Sequence, residues 1–291
     1  MQILEPIFIV GTGRSGSSVF FDIFTNHPKL AWLSVLAREF PGRPWLNSLL
    51  LRSLSIRGLD FFLARTFRPA EAYPFWEARC PGFSNPCRDL TADDVTPVSA
   101  ERLRKAIEGM LSRRRDRFVA KITGWPRIRY LYRIFADAKF IEMTRDPCAI
   151  ASSLLAVPFW DGWRGPPNWR RGPLPDDLEQ IWNDENRSFV ALAALEYVIY
   201  QRAMDACRAD LPPDRMHTIS YAALCRDPIE QFRRVADFCQ LDWSLQFERA
   251  IAKVRLIDRD HKWRTNLTAA QQSVLQRTLE RAQESGRTRS G

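Results

Sequence analysis

The chain has 291 residues, 45% of them hydrophobic, and a formal net charge of +9 carried mostly by arginine; that length buries one large core, and no internal repeat or low-complexity segment interrupts it. No stretch reaches the roughly 18 uncharged apolar residues of a membrane span, and the first expected strand starts so close to Met1 that no secretory leader is expected. Six cysteines (80, 87, 148, 207, 225 and 239) form no CxxC pair, and His27, His217 and His261 stand apart, so neither a disulfide framework nor a metal site is expected.

Ile7-Phe8-Ile9-Val10 reads as a buried strand, because it is short, apolar and rich in β-branched residues. It runs into Gly11-Thr12-Gly13-Arg14-Ser15-Gly16-Ser17-Ser18, and Val19 to Phe24 then reads as a helix stopped by Asn26-His27-Pro28. His27 is expected to cap the helix end. In a strand–turn–helix unit of this kind the free N–H groups and the helix dipole point at an anion. The glycines let the backbone approach it, Arg14 adds a fixed charge, and three serines add hydroxyls. The spacing from Gly11 to Gly16 is that of a Walker A loop, but Ser17 stands where a P-loop kinase needs lysine.

Residues 29–100 are expected to lie on the substrate side. Trp45 to Phe67 alternates leucines with Arg52, Arg57 and Arg65, which suits a helix packed on the core, or a lid or membrane-surface helix. Arg113 to Arg117 reads as a solvated helix end rather than a nucleic-acid patch. Phe118 to Ile122 is the next expected strand, followed by Thr123-Gly124-Trp125-Pro126 and a helix over Ile128 to Phe135. The strand Lys139 to Thr144 then ends in Arg145-Asp146-Pro147, with Asp146 as N-cap and Pro147 at the first helical position. Arg145 would sit at a strand's C-terminal end, where α/β sheets place ligand contacts, with Ser153 on the helix beyond. Residues 156–187, with Phe159, Trp160, Trp163 and Trp169, form a second substrate-side insertion, and residues 281–291 read as a frayed tail. Strands alternating with helices predict one α/β domain over 1–291, with a mainly parallel sheet covered by helices on both faces.

These motifs resemble the PAPS-dependent sulfotransferases. Gly11 to Ser18 is similar to the family's 5′-phosphosulfate loop, which implies that Gly13, Arg14, Ser15, Gly16, Ser17 and Ser18 bind the donor. Arg145-Asp146-Pro147 with Ser153 resembles its 3′-phosphate motif, and Lys121 stands 24 residues before Arg145, as a catalytic lysine does in the cytosolic members. Tyr221, within Ile219-Ser220-Tyr221-x2-Leu224-x2-Asp227-Pro228, and Lys262 and Arg264, within Lys262-Trp263-Arg264-x-Asn266-Leu267, resemble later nucleotide-site segments. The resemblance covers roughly residues 6–268 in order.

It implies in-line transfer of a sulfuryl group from 3′-phosphoadenylyl sulfate to an acceptor hydroxyl or amine, without a metal. Lys121, Arg14 and the loop amides would stabilise the leaving bridging oxygen. The acceptor could be a carbohydrate, lipid, peptide or small phenol. No nucleic acid is implied, and the setting is expected to be cytoplasmic. The chain departs from the pattern at the base. Thr123 occupies the position of the cytosolic members' histidine, and the position of a glutamate in other members falls on Ser34 or Val35. Glu39 is the nearest carboxylate and the first candidate, with Glu71 and Glu77 behind it. Two other readings stay open on the sequence: a P-loop kinase-like phosphotransferase, and a basic polyanion-binding module without catalysis.

Overall fold

Ile7–Gly11 (β1) is buried along its whole length, and a strand with apolar side chains on both faces must be covered on both. The computed structural model, which describes residues 2–54 and 67–290, places β1 at the centre of a five-stranded sheet. The other strands are Leu30–Trp32 (β2), Arg117–Thr123 (β3), Lys139–Thr144 (β4) and Met216–Ser220 (β5). They run in the order β2-β3-β1-β4-β5, and every pairing is parallel. The register sets Gly11 beside Thr123, and Ile9 between Lys121 and Ile141. The C-terminal ends of β1, β3 and β4 therefore open on one edge, each followed by a segment that the sequence marks as chemically active.

Ser17–Phe24 (α1) follows β1, starting two residues earlier than its apolar pattern suggests, because Gly16 serves as its N-cap. On one side of the sheet Phe20 stacks on Phe232 at 4.8 Å, with Phe24 and Phe247 beside them. On the other side Phe8 packs among Trp76, Phe118, Phe135 and Phe140. Between β2 and β3 lie Val35–Glu39 (α2), Pro44–Ser53 (α3), Tyr73–Glu77 (α4) and Pro97–Glu108 (α5). α3 packs inward: buried Asn47 accepts from Ser34 N and Oγ and donates to Trp32 O, which anchors the end of β2. The lid or membrane-surface reading of residues 45–67 falls largely on 55–66, outside the described residues.

Ile128–Ile134 (α6) joins β3 to β4, and Pro147–Leu155 (α7) follows β4 with Asp146 accepting from Ala149 N at 2.7 Å, as the N-cap expectation required. Asp176–Asp184 (α8) and Phe189–Ala209 (α9) then build a second apolar cluster with α7, around Trp160, Trp169 and Trp182. After β5 come Tyr221–Arg226 (α10), Pro228–Phe238 (α11), Leu245–Ala252 (α12), Trp263–Asn266 (α13) and Ala269–Ser290 (α14). The tail expected to fray from Arg281 instead continues α14. Leu275, Leu279 and Ala282 are buried, Arg281 pairs with Asp184, and Ser285 Oγ donates to Asp177 Oδ2 at 2.8 Å. The polar tail residues face partners on α8, which a composition argument could not reveal. Among the described residues no helix is long and apolar enough to cross a membrane.

Candidate active site

The turn after β1 needs its glycines. Gly11 has φ +149°, and a Cβ there would stand 2.6 Å from Met143 O. Gly16 has φ +90°, and a Cβ there would stand 2.4 Å from the Tyr221 ring. Arg14 also takes a left-handed φ, +69°, a conformation costly for a side-chain-bearing residue that recurs where backbone is bent for function. Among the described residues the amides of Gly13, Arg14 and Gly16 donate to no protein group. They stand with the first turn of α1 where helix N–H groups and the dipole favour an anion.

The side chains of this turn reach the other strand ends. Arg14 Nε donates to Ser153 Oγ on α7 at 2.9 Å, and Arg145 Nη1 donates to Arg14 O at 3.0 Å. The Arg145 guanidinium lies over the Tyr221 ring at 4.7 Å, and Tyr221 OH donates to Ile257 O at 2.9 Å. Burial pushes the Tyr221 phenol up to about 12, so it stays a donor. Arg145 Nε donates to Asp260 Oδ1 at 2.6 Å. Arg14, Ser153, Arg145 and Tyr221, read from three separate motifs, thus form one connected face.

β3 supplies the second part. Lys121 is nearly buried; its Nζ donates to Ser18 Oγ at 2.6 Å and pairs with Glu71 Oε1 at 2.8 Å. Thr123 Oγ1 donates to both Glu71 oxygens, at 3.1 and 3.0 Å. Tyr73 OH donates to Thr123 O at 2.7 Å, and burial raises its pKa far above the ordinary phenol value. Glu71 is held here because Pro69 bridges to Ser34 at the end of β2, which brings the chain back across the mouth of the sheet.

A cavity of about 480 Å³ opens on these groups. Gly13, Arg14, Ser17 and Ser18 line it from the loop, with Glu71, Tyr73 and Thr123 beside them. Trp125, Phe159, Trp160 and Tyr200 give it apolar walls, and Arg171 and Glu196 a buried ion pair. Trp160 Nε1 donates to Glu196 Oε2 at 2.8 Å, so that carboxylate is fully engaged. Both stretches expected on the substrate side, 29–100 and 156–187, contribute to this wall.

Some expected site residues stand elsewhere. Glu39 is exposed and paired with its neighbour Arg38 at 2.8 Å, outside the cavity lining, so it does not fit the role of base expected for it. Glu71, a candidate behind it, lines the cavity and touches Lys121 and Thr123. Glu77 accepts from Gly82 N and Ser84 N and shapes a loop. Ser15 is fully buried with its hydroxyl unpartnered, and its amide donates to Thr12 O, so it contributes to the turn rather than to the cavity face. Lys262 and Arg264 are exposed, Arg264 lying over Trp263 at 4.5 Å; of that segment it is Asp260 that touches the strand-end arginine. Buried His27 bridges to Asp242 O instead of lying near the cavity. Tyr73 lies in the aromatic stretch Tyr73-Pro74-Phe75-Trp76, which the sequence marks as a candidate pocket wall, whereas Arg171, Glu196 and Asp260 carried no sequence signal, since each meets its partner only through a long-range contact.

The family model for the Sulfotransferase family matches residues 6–244. The chain belongs to that family. The reaction class of this enzyme is therefore sulfuryl transfer, and the kinase-like and non-catalytic readings fall away. Its fold is shared with sulfotransferase STF9 from Mycobacterium avium, with TM-score 0.58 and 16% identity over 96% of this chain and 77% of that one. The sulfotransferase domain of the Synechococcus PCC 7002 olefin synthase gives TM-score 0.50 and 15% identity, over 100% of this chain and 96% of that domain. The sulfotransferase domain from the curacin biosynthetic pathway gives 0.50 and 13%, over 95% and 98%. No curated protein sequence matches significantly.

Proposed function

We propose that this sulfotransferase uses 3′-phosphoadenylyl sulfate as donor, with its 5′-phosphosulfate on the Gly13–Ser18 turn and its 3′-phosphate against Arg145 and Ser153. The observation that carries this reading is the pair of contacts joining Arg14 to Ser153 and Arg145 to Arg14 O. They make a loop built for one anion and a strand end built for another into a single surface, as a donor with two phosphate groups requires. Gly13, Gly16, Ser17 and Ser18 hold the 5′ end through amides and hydroxyls, and Tyr221 supports Arg145 from below.

Lys121 is placed to stabilise charge on the oxygen between phosphorus and sulfur as the sulfur–oxygen bond to the donor breaks. Glu71 takes the proton from the acceptor hydroxyl or amine as its oxygen or nitrogen bonds to sulfur, and adenosine 3′,5′-bisphosphate leaves. Lys121 and Thr123 hold Glu71 in place for this step, which is general base catalysis worth about 10²–10⁴ in rate. Trp125, Phe159, Trp160 and Tyr200 support an acceptor with a flat or apolar portion. All six cysteines are unpaired, which supports a reducing, cytoplasmic setting.

The test is transfer from sulfur-labelled donor to a panel of phenols, sugars, lipids and tyrosyl peptides in EDTA. Label in an acceptor, with release of adenosine 3′,5′-bisphosphate, is expected. An acceptor labelled only when phosphorus-labelled ATP and magnesium replace that donor would overturn the reading.

A further inference from the structure

Arg145 is engaged within the protein at Nε, at Nη1 and over its face. Its Nε edge is held by Asp260 Oδ1 at 2.6 Å, its Nη1 by Arg14 O at 3.0 Å, and its face by the Tyr221 ring at 4.7 Å. Both members of the ion pair are well covered, with side-chain exposures of 12% and 18%. A guanidinium grips an oxyanion best with two parallel N–H groups along one edge. Here one edge carries a carboxylate from a distant segment and the other a carbonyl of the glycine-rich turn. The carbonyl belongs to the turn that must stay folded for the 5′ end, so the carboxylate is the contact that can give way.

We propose that Asp260 acts as an internal stand-in for the donor's 3′-phosphate, occupying Arg145 until a 3′-phosphorylated nucleotide displaces it, and so limits how much that phosphate adds to nucleotide affinity. The inference rests on the donor-site reading given above. A phosphate dianion competes with a carboxylate for a guanidinium on equal or better terms, whereas a 3′-hydroxyl cannot. A nucleotide without the phosphate therefore leaves Asp260 in place and gains nothing from Arg145. Asp260 is not needed to orient Arg145, because the Arg14 carbonyl and the Tyr221 ring already do so. The segment that carries it is also built for a limited movement: it is tied at Ile257 O by Tyr221 OH and rests on α7 through α13, while Asp260 itself belongs to the single turn Asp260–Lys262. Displacement would leave Lys262 and Arg264 on the same segment.

The experiment is calorimetric titration of wild type, Asp260→Asn and Asp260→Ser with adenosine 3′,5′-bisphosphate and with adenosine 5′-phosphate, repeated for Asp260→Asn on an Arg145→Ala background. Loss of a charge-assisted contact to Arg145 predicts about tenfold tighter binding of the bisphosphate to both variants. Affinity for adenosine 5′-phosphate is expected to be unchanged, and the gain is expected to vanish without Arg145. Weaker or equal bisphosphate binding by both folded variants would show that Asp260 merely positions Arg145 and would overturn the proposal. A wild type that binds both nucleotides alike would instead overturn the donor-site reading beneath it.

Discussion

Gly16 is the point where the glycine-rich turn and the strand-end arginine meet, and Gly16→Ala tests that junction. A Cβ at this position would lie 2.4 Å from Tyr221 Cδ2 and 2.9 Å from Cε2, and the residue has φ +90°. An L-residue in a left-handed conformation costs about 1–2 kcal/mol. Pushing the Tyr221 ring aside loses its hydrogen bond to Ile257 O, worth about 1 kcal/mol. It also loses the stacking on Arg145, worth about 0.5–1 kcal/mol. Together these come to about 3 kcal/mol, which for a chain of this size lowers Tm by about 5 °C. Because the ring supports Arg145, affinity for adenosine 3′,5′-bisphosphate is expected to fall at least tenfold alongside. Thermal unfolding followed by tryptophan fluorescence reads the first effect and calorimetry the second. A variant with wild-type Tm and wild-type affinity would refute the claim that the turn, Tyr221 and Arg145 form one unit.

Glu71→Gln keeps the size of the side chain and one acceptor oxygen for Lys121 and Thr123 but removes the proton acceptor; turnover is expected to fall by about 10²–10⁴ while bisphosphate affinity stays within a few-fold. Full turnover would send the base elsewhere; Glu39→Gln, by contrast, is expected to leave turnover intact. His27 gives a pH signature in stability. Burial lowers its pKa, and Lys29 N donates to its Nδ1 at 3.3 Å, a contact that protonation would abolish. The unfolded chain therefore binds the proton more readily, so stability declines as pH falls through about 6.5 and levels off once the folded state also protonates. Denaturant melts of wild type and His27→Gln across that range should converge at acid pH, and parallel curves would contradict the assignment.

The parts of the site legible in the sequence are those whose chemistry is local. The strand, glycine turn and helix from Ile7 to Phe24 are contiguous, and the Asp146 cap with Pro147 announces a helix that carries Ser153. Parallel pairing also followed from alternation of strands and helices. The proposed base, Glu71, stood only behind Glu39 on the sequence, because it reaches Lys121 through the bridge of Pro69 to Ser34 rather than through a local motif. Proximity to the first helix favoured Glu39, whose carboxylate instead satisfies an adjacent arginine on the surface. The same limit hid Asp260: it stands two residues before the Lys262–Leu267 segment whose cations the sequence marks, yet in the fold its carboxylate meets Arg145. Polar composition misjudged the tail for a related reason, since Arg281 and Ser285 are polar residues with polar partners on α8.

The proposed donor site holds both phosphate groups on one surface, with Arg145 reading the one at the 3′ position. It is tested most directly by titrating wild type and Arg145→Ala with adenosine 3′,5′-bisphosphate, adenosine 5′-phosphate and ATP in the presence of EDTA. Metal-free binding of the bisphosphate is expected to exceed that of both other nucleotides, with a loss of about a hundredfold in a folded Arg145→Ala variant. Equal affinity for the three nucleotides, or a bisphosphate affinity untouched by Arg145→Ala, would contradict it.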